Sequence, residues 1–339
     1  MNAVSVSSPL RSLGPLRVPV APIGLGCMGM SEFYGPSDDA ESLATLARAL
    51  ELGVTLFDTA DTYGHGGNER LLGRFIAEGG AARRARMVIA TKFGIVREPG
   101  RYERRIDNSP AYLRAACEAS LQRLGVEAID LYFCHRRDPA VPVEDMMGAL
   151  AALVQAGKVR QVGLSEVSVD TLRRAHAVHP VAAVQSEYSL WSREPEQGML
   201  AACAELGTSF VAYAPLGRSF LTGTTDVAAL ADNDFRKHNP RFAAEAVERN
   251  RQLVEALARF AEARGASSAQ IALAWLLAKQ PHVIPIPGTR RIRWLEQNMA
   301  AARIALDADE VAQLDALFAP EQVVGARYPE AGWVGVERG

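Results

Sequence analysis

The chain has 339 residues, 48% hydrophobic and 22% charged, a balance that excludes a disordered chain and leaves room for one large domain or two ordinary ones. A formal net charge of −2 supplies no field to recruit nucleic acid or anionic membrane, so neither partner is expected. The four cysteines, Cys27, Cys117, Cys134 and Cys203, are scattered without a C-x-x-C spacing; reduced thiols are expected, with no metal site.

The opening MNAVSVSSPLRSLGPLRVP holds no continuous apolar run, and no segment approaches membrane-spanning length, so the chain reads as cytoplasmic. From Ile23 onward, short β-rich runs alternate with helical patterns. Ile23–Gly26 is the first predicted strand. A helix over Asp38–Leu52 follows, with Leu43, Leu46 and Leu50 recurring three and four apart as one apolar stripe. Strand Val54–Asp58 precedes helix Asn68–Ala77, Val88–Lys92 precedes Pro110–Leu124, and Ile129–Cys134 precedes Val143–Ala156. Val159–Leu164 pairs with Val169–Val178, and Val181–Gln185 with Glu194–Leu206. Ser209–Tyr213 leads to Ser267–Lys279, and Val283–Ile286 to Ile292–Ala301.

Strands this continuous in Val, Ile, Leu and Ala belong to parallel sheets covered by helices. Eight β-then-α units predict an α/β fold, a (β/α)₈ TIM barrel in one domain over residues 1–339, with a doubly wound sheet as the competitor. Three stretches fall outside the units. Leu16–Val20 is predicted to form part of a hairpin plugging the barrel floor. Gly217–Arg264 begins as a loop, turns helical from Phe242, and has the length of a lid or binding loop. Asp307–Phe318 and the tail beyond it close the chain.

Polar residues stand where barrel enzymes work, just past the C-terminal strand ends. Asp58, Lys92 and His135 end the second, third and fourth predicted strands, and Tyr63 follows Asp58 in the same loop. A tyrosine alone titrates near pH 10. A neighbouring lysine ammonium is expected to lower that value, with Asp58 keeping the ammonium charged and His135 fixing a substrate oxygen. Such a group suits delivery of a proton to a carbonyl oxygen. Taken singly, each residue has a plainer role: Asp58 a cap, Tyr63 surface packing, Lys92 a solvated strand end, His135 a satisfied structural imidazole. Their shared strand-end placement favours the joint reading. Asp61 and His65, in the same loop, are read as structural.

Gly24-Leu25-Gly26-Cys27-Met28-Gly29 matches G-x-G-x-x-G, but no helix starts at once after it and no acidic strand end follows about twenty residues on. A Rossmann site is therefore rejected. Taken together, FDTADTYGHGGNERLLG, IATKFG, IDLYFCHRRD, VGLSE, VQSEYSL, AYAPLGRSFLTG and IPGTRRIRWLEQN resemble the aldo-keto reductases. The branch most similar is the microbial and plant one carrying GLGCMGMS near its start. The resemblance runs from about Arg17 to Ala302 and implies NADPH-dependent reduction of aldehydes or ketones to alcohols, an alcohol dehydrogenase (NADP+) type of chemistry. It matches Asp58, Tyr63, Lys92 and His135 to the family's catalytic tetrad.

The resemblance also assigns cofactor contacts. Cys27 and Met28 would approach the nicotinamide ribose, Ser165 and Gln185 would hold the carboxamide, and Tyr213 would stack on the ring. Glu166 stands where many relatives carry Asn. Pro215, Leu216, Gly217 and Arg218 would run beneath the pyrophosphate, Gly288, Thr289 and Arg290 would contact the far end, and Gln297 and Asn298 would reach the adenine. Arg290, Arg291 and Arg293 at the start of a helix suit a terminal phosphate such as the 2′-phosphate of NADPH, with at least one of the three expected to be solvated surface.

The predicted substrate rim comprises Met28, Phe93, Trp191, Tyr328 and Trp333. These aromatic and apolar walls, without a dedicated anion site, suggest an uncharged or aromatic small-molecule carbonyl compound. Two other readings stand beside the reductase: a barrel aldolase using Lys92 as Schiff-base nucleophile, and an NADPH-binding, non-catalytic redox-sensing subunit. The oligomeric state is left open.

Overall fold

Asp38 accepts a hydrogen bond from the backbone N–H of Glu41 and opens α1 (Asp39–Glu51). Leu46 and Leu50 of its apolar stripe are buried, each burial stabilising by about 1.5–3 kcal/mol relative to exposure. The computed structural model describes residues 9–98, 104–232 and 234–337. Ahead of α1 lie β1 (Arg11–Leu13), β2 (Val18–Val20) and β3 (Leu25–Gly26). Then come β4 (Leu56–Asp58), α2 (Gly67–Arg84), β5 (Val88–Phe93), β6 (Ile95–Arg97), β7 (Arg104–Ile106), α3 (Pro110–Leu124) and β8 (Ile129–Cys134). The second half continues with α4 (Val143–Gln155), β9 (Val159–Ser165), α5 (Val169–Val178), β10 (Val181–Glu187), α6 (Met199–Leu206) and β11 (Ser209–Tyr213). It ends with α7 (Ala244–Ala263), α8 (Ser268–Lys279), β12 (Val283–Pro285), α9 (Ile292–Ala300) and α10 (Ala308–Leu317).

β3, β4, β5, β8, β9, β10, β11 and β12 form one eight-stranded sheet in that order, every pair parallel. The ends meet. Gly24 and Gly26 donate to the carbonyls of Pro285 and Pro287 at 3.0 and 3.3 Å, and Gly26 bridges to Gly288 in parallel register. A β-carbon on Gly26 would stand 2.9 Å from the carbonyl oxygen of Ile286, so this seam closes only around a glycine. The predicted TIM barrel is the observed one.

Leu56, Ala90, Leu131, Phe133, Val211, Ile284 and Ile286 pack together, separately from the larger cluster that holds Phe57, Ile89, Tyr132, Cys134 and Phe210. The first set fills the barrel and the second packs beneath the helices, as strand alternation requires. Leu13 and Val20 of the antiparallel β1–β2 pair join the interior set, and the Gly14 N–H donates to Ser209 Oγ at the first residue of β11. The expected hairpin plug therefore closes the floor, opposite the strand ends that carry the polar residues.

Three features depart from expectation. β6 and β7 form an antiparallel hairpin immediately beyond β5. Gly198, at φ +118°, separates α6 from a short 3₁₀ turn over Glu194–Glu196, so Glu194–Leu206 is not one helix. α2 runs on to Arg84 through a break at Gly80 rather than stopping at Ala77. The long segment after β11 is built of 3₁₀ turns leading into α7, as its mixed loop and helix pattern suggests.

Candidate active site

Strand parity brings the polar residues together. Asp58 lies two residues beyond the interior Leu56, Lys92 two beyond Ala90, and His135 two beyond Phe133. Each therefore points inward at the open end of the barrel. The Lys92 ammonium is fully buried and has three partners: Asp58 Oδ1 at 2.5 Å, the Thr59 carbonyl at 2.8 Å and Tyr63 Oη at 3.3 Å. Gln185 Nε2 donates to Asp58 Oδ2 at 2.8 Å, which engages the second carboxylate oxygen. The backbone N–H of His135 donates to the Phe93 carbonyl at 2.8 Å and holds the turn. Its ring meets Tyr63 edge to face, with centroids 5.7 Å apart, and its Nδ1 is buried without a protein partner.

Burial dominates the titration of this group. It raises the Tyr63 phenol above its ordinary value, and the nearby Lys92 charge only partly counters it. The lowering expected from Lys92 is thus outweighed: the phenol is held in its protonated form. Burial pulls Lys92 down, but Asp58 and Tyr63 together carry the ammonium above its ordinary value, so it stays charged. Burial also drives His135 well below the imidazole range, reinforced by Lys92, Arg136, Arg104 and Arg97, so the ring is neutral.

A cavity of about 410 Å³ runs from Asp58, Tyr63 and His135 to Gly288, Thr289, Arg290, Arg291 and Trp294. Among the residues predicted to touch a cofactor, Met28, Ser165, Gln185, Tyr213, Pro215, Leu216, Arg218, Gly288, Thr289 and Arg290 line it. Cys27 has its side chain in the outer core, Gly217 abuts Trp191, and Arg293 stacks on Trp294; none of the three is in the lining. Gln297 and Asn298, on α9, are likewise outside it. Arg290 spends one nitrogen on the carbonyls of Gly29 and Tyr34, while Arg291 is exposed at the rim. α9 begins with no side-chain cap, leaving N–H groups open to an anion.

Three predicted substrate residues, Phe93, Trp191 and Trp333, lie outside the lining. Phe93 is fully buried against Tyr132, and Trp191 stacks on Phe220 in the core. Phe93 is the last residue of β5 and packs outward with the outer core, while Trp191 lies in the turn after β10 with its ring in that same core. Arg218 pairs with Glu187 at 2.7 Å and packs over Phe235 and Tyr328, so its charge is already balanced within the protein. Glu166 accepts from Tyr213 Oη at 2.7 Å and from Arg327 at 2.6 Å, and Tyr213 Oη also meets Tyr328 Oη at 2.7 Å. Tail and barrel are thereby tied at the ring of Tyr213. Trp333 packs edge-on against Tyr328.

Sequence reasoning missed Phe33, Tyr34, Phe235 and Arg236 along the cavity, and three arginines at its tetrad end: Arg97, Arg104 and Arg136. The last three place cations beside the aromatic and apolar walls that were expected. A signal existed, since Pro99-Gly100 between IVR and RRI is a turn mark that would have paired Arg97 with Arg104.

The fold and site have relatives. The model of the Aldo/keto reductase family matches residues 22–319. The aldo-keto reductase yakc of Schizosaccharomyces pombe, whose name carries NADP(+), is 43% identical over 96% of this chain and 95% of its own. The structure of a glycerol dehydrogenase from Gluconobacter oxydans superposes with a TM-score of 0.84 at 28% identity, covering 93% of this chain and 97% of that one. An aldo/keto reductase from Klebsiella pneumoniae, solved with NADP and acetate, gives 0.72 at 28% identity over 95% and 99% of the two chains. With an intact barrel and the family model spanning most of its length, the chain belongs to the aldo/keto reductase family.

Proposed function

We propose that the protein reduces aldehydes or ketones to alcohols with NADPH. The observation that carries this reading is a buried, protonated phenol 3.3 Å from a charged lysine and edge-on to a neutral imidazole, at one end of a cavity whose other end offers arginines and an uncapped helix. The residues present fit a dinucleotide. Tyr213 supplies a flat wall held by Glu166 and Tyr328, Ser165 and Gln185 would hold the carboxamide, and Gly288–Arg291 would receive the terminal phosphate. When bound, the nicotinamide supplies the hydride.

The protein's own residues handle the proton. Neutral His135 orients the substrate carbonyl toward Tyr63, which gives its hydroxyl proton to the carbonyl oxygen. Lys92 offsets the phenolate charge left behind, and Asp58 with Gln185 fixes the ammonium for that moment. The closed wall of core residues behind Lys92 keeps water away, which strengthens both interactions. A Schiff-base aldolase is disfavoured, because an amine that Asp58 holds protonated is not a nucleophile.

An NADPH oxidation assay across aldehydes, ketones and dicarbonyls tests the proposal. NADPH binding with no turnover of any carbonyl compound would leave the redox-sensing reading instead. Within the same assay, Arg291→Ala should raise KM for NADPH about tenfold by removing a charged phosphate donor, and leave KM for NADH nearly unchanged. Equal changes for both cofactors would remove the phosphate from this end of the cavity.

A further inference from the structure

We infer that the tetrad end of the cavity is built for a carbonyl compound that carries a carboxylate, with Arg136 as its principal ligand. The inference rests on the reductase reading and names its substrate class. Arg136 follows His135 directly, lines the cavity and is only 6% exposed. Its Nη1 donates to the carbonyl of His135 at 2.7 Å and to Ser165 Oγ at 3.2 Å, while its Nε is buried without a partner. Neighbouring acids are already paired: Glu166 with Arg327 at 2.6 Å and Glu337 with Arg137 at 3.0 Å. Among the described residues no carboxylate forms an ion pair with Arg136.

The Glu166 carboxylate, paired with Arg327, acts on Arg136 only through space, so the buried guanidinium has no carboxylate of its own and gains when an anion binds. Two further cations face the same space. Arg97 and Arg104 are directly opposite each other across the β6–β7 pair, and Arg104 donates to the Gly332 carbonyl at 2.9 Å. Glu32 balances Arg97 at 2.6 Å. Positive charge therefore converges on the imidazole from Arg97, Arg104 and Arg136, in a part of the cavity where the substrate must sit to reach Tyr63.

The guanidinium of Arg136 binds the carbonyl of the very residue that orients the reacting group. The carboxylate consequently belongs close to the reacting carbon, as in an oxo acid. The carbon gains the hydride, the oxygen gains the Tyr63 proton, NADPH becomes NADP+, and the carboxylate leaves as it came, on a hydroxy acid. Forked donors suit a carboxylate better than a lysine would.

The test compares kcat/KM for phenylglyoxylate and 3-carboxybenzaldehyde with their methyl esters, using NADPH and the full-length protein. At least one acid should exceed its ester tenfold or more, although the esters are intrinsically no less electrophilic. Arg136→Met should erase that ratio, and Arg136→Lys should restore part of it. Esters reduced as well as acids, or a preference that survives Arg136→Met, would overturn the inference while leaving the reductase intact. Equal loss on acid and ester with a raised KM for NADPH would also overturn it, because Arg136 would then serve the cofactor. Benzoate binding to the protein with NADP+, read by calorimetry, separates the two claims. Should no carbonyl compound be reduced, the reductase reading fails; the anion site still stands if benzoate binds better than benzamide in the parent and not in Arg136→Met, and falls if the two bind alike.

Discussion

Tyr63→Phe is expected to lower kcat/KM for carbonyl reduction by about 10²- to 10⁴-fold, the range that a positioned general acid contributes. The phenol is the proton donor closest to hand. Its oxygen lies 3.3 Å from Lys92 Nζ, it opens on the cavity, and burial keeps its proton in place. Phenylalanine keeps the ring that packs against His135 and removes only the oxygen, so the fold and the cofactor end should be undisturbed. NADPH affinity, measured by quenching of protein fluorescence, should stay within about threefold, consistent with loss of a neutral hydrogen bond at most. Retained turnover in this variant would take the acid role away from Tyr63.

Lys92→Met should have the largest combined effect. It removes an ammonium with no exposed surface and leaves the Asp58 carboxylate buried with Gln185 as its remaining side-chain partner. Breaking a buried ion pair from one side costs about 3–5 kcal/mol, which denaturant titration would read as a lower midpoint with an unchanged slope. Activity should fall as far as in Tyr63→Phe, because the phenolate then has no cation beside it. Pairing Lys92→Met with Asp58→Asn removes the stranded charge, so most of the stability should return while activity stays lost. A double variant no more stable than Lys92→Met would mean that Lys92 contributes packing rather than charge.

The barrel and the convergence of Asp58, Lys92 and His135 were legible because both follow from simple periodicities. Buried parallel strands read as apolar runs, and the inward set can be counted forward in twos from Leu56, Ala90 and Phe133 to Asp58, Lys92 and His135. The same parity explains the misplacement of Phe93, one residue beyond Lys92 and so directed away from the interior. What the sequence hid depends on contacts distant along the chain. Arg218 looked like a free cation until folding brought Glu187 beside it. Glu166 looked like a substituted amide, yet it holds Tyr213 across 47 positions and Arg327 across 161. The cation cluster was missed for a related reason. Arg97 and Arg104 meet only once the β6–β7 hairpin folds over the mouth, and Arg136 reads as a loop residue until its burial is known.

The net shift of Tyr63 is opposite in direction to the one expected from Lys92 alone. Lys92 does pull the phenol down, but removal from water is the larger effect in a cavity walled by core residues. The consequence is a donor that keeps its proton across neutral pH and an ammonium ready to accept the charge it leaves behind. Neutral His135 completes the arrangement, since an imidazolium there would add a further cation beside Lys92 and Arg136.

The pH dependence of kcat/KM for aldehyde reduction tests that central claim most directly. The account predicts a profile without an inflection near pH 6.5, because His135 stays neutral, and an activity that is present below the raised Tyr63 value and declines only as pH climbs past the ordinary tyrosine value of 10.0. An alkaline limb falling in the neutral range, or a limb tracking an imidazole near 6.5 that vanishes in His135→Gln, would contradict it.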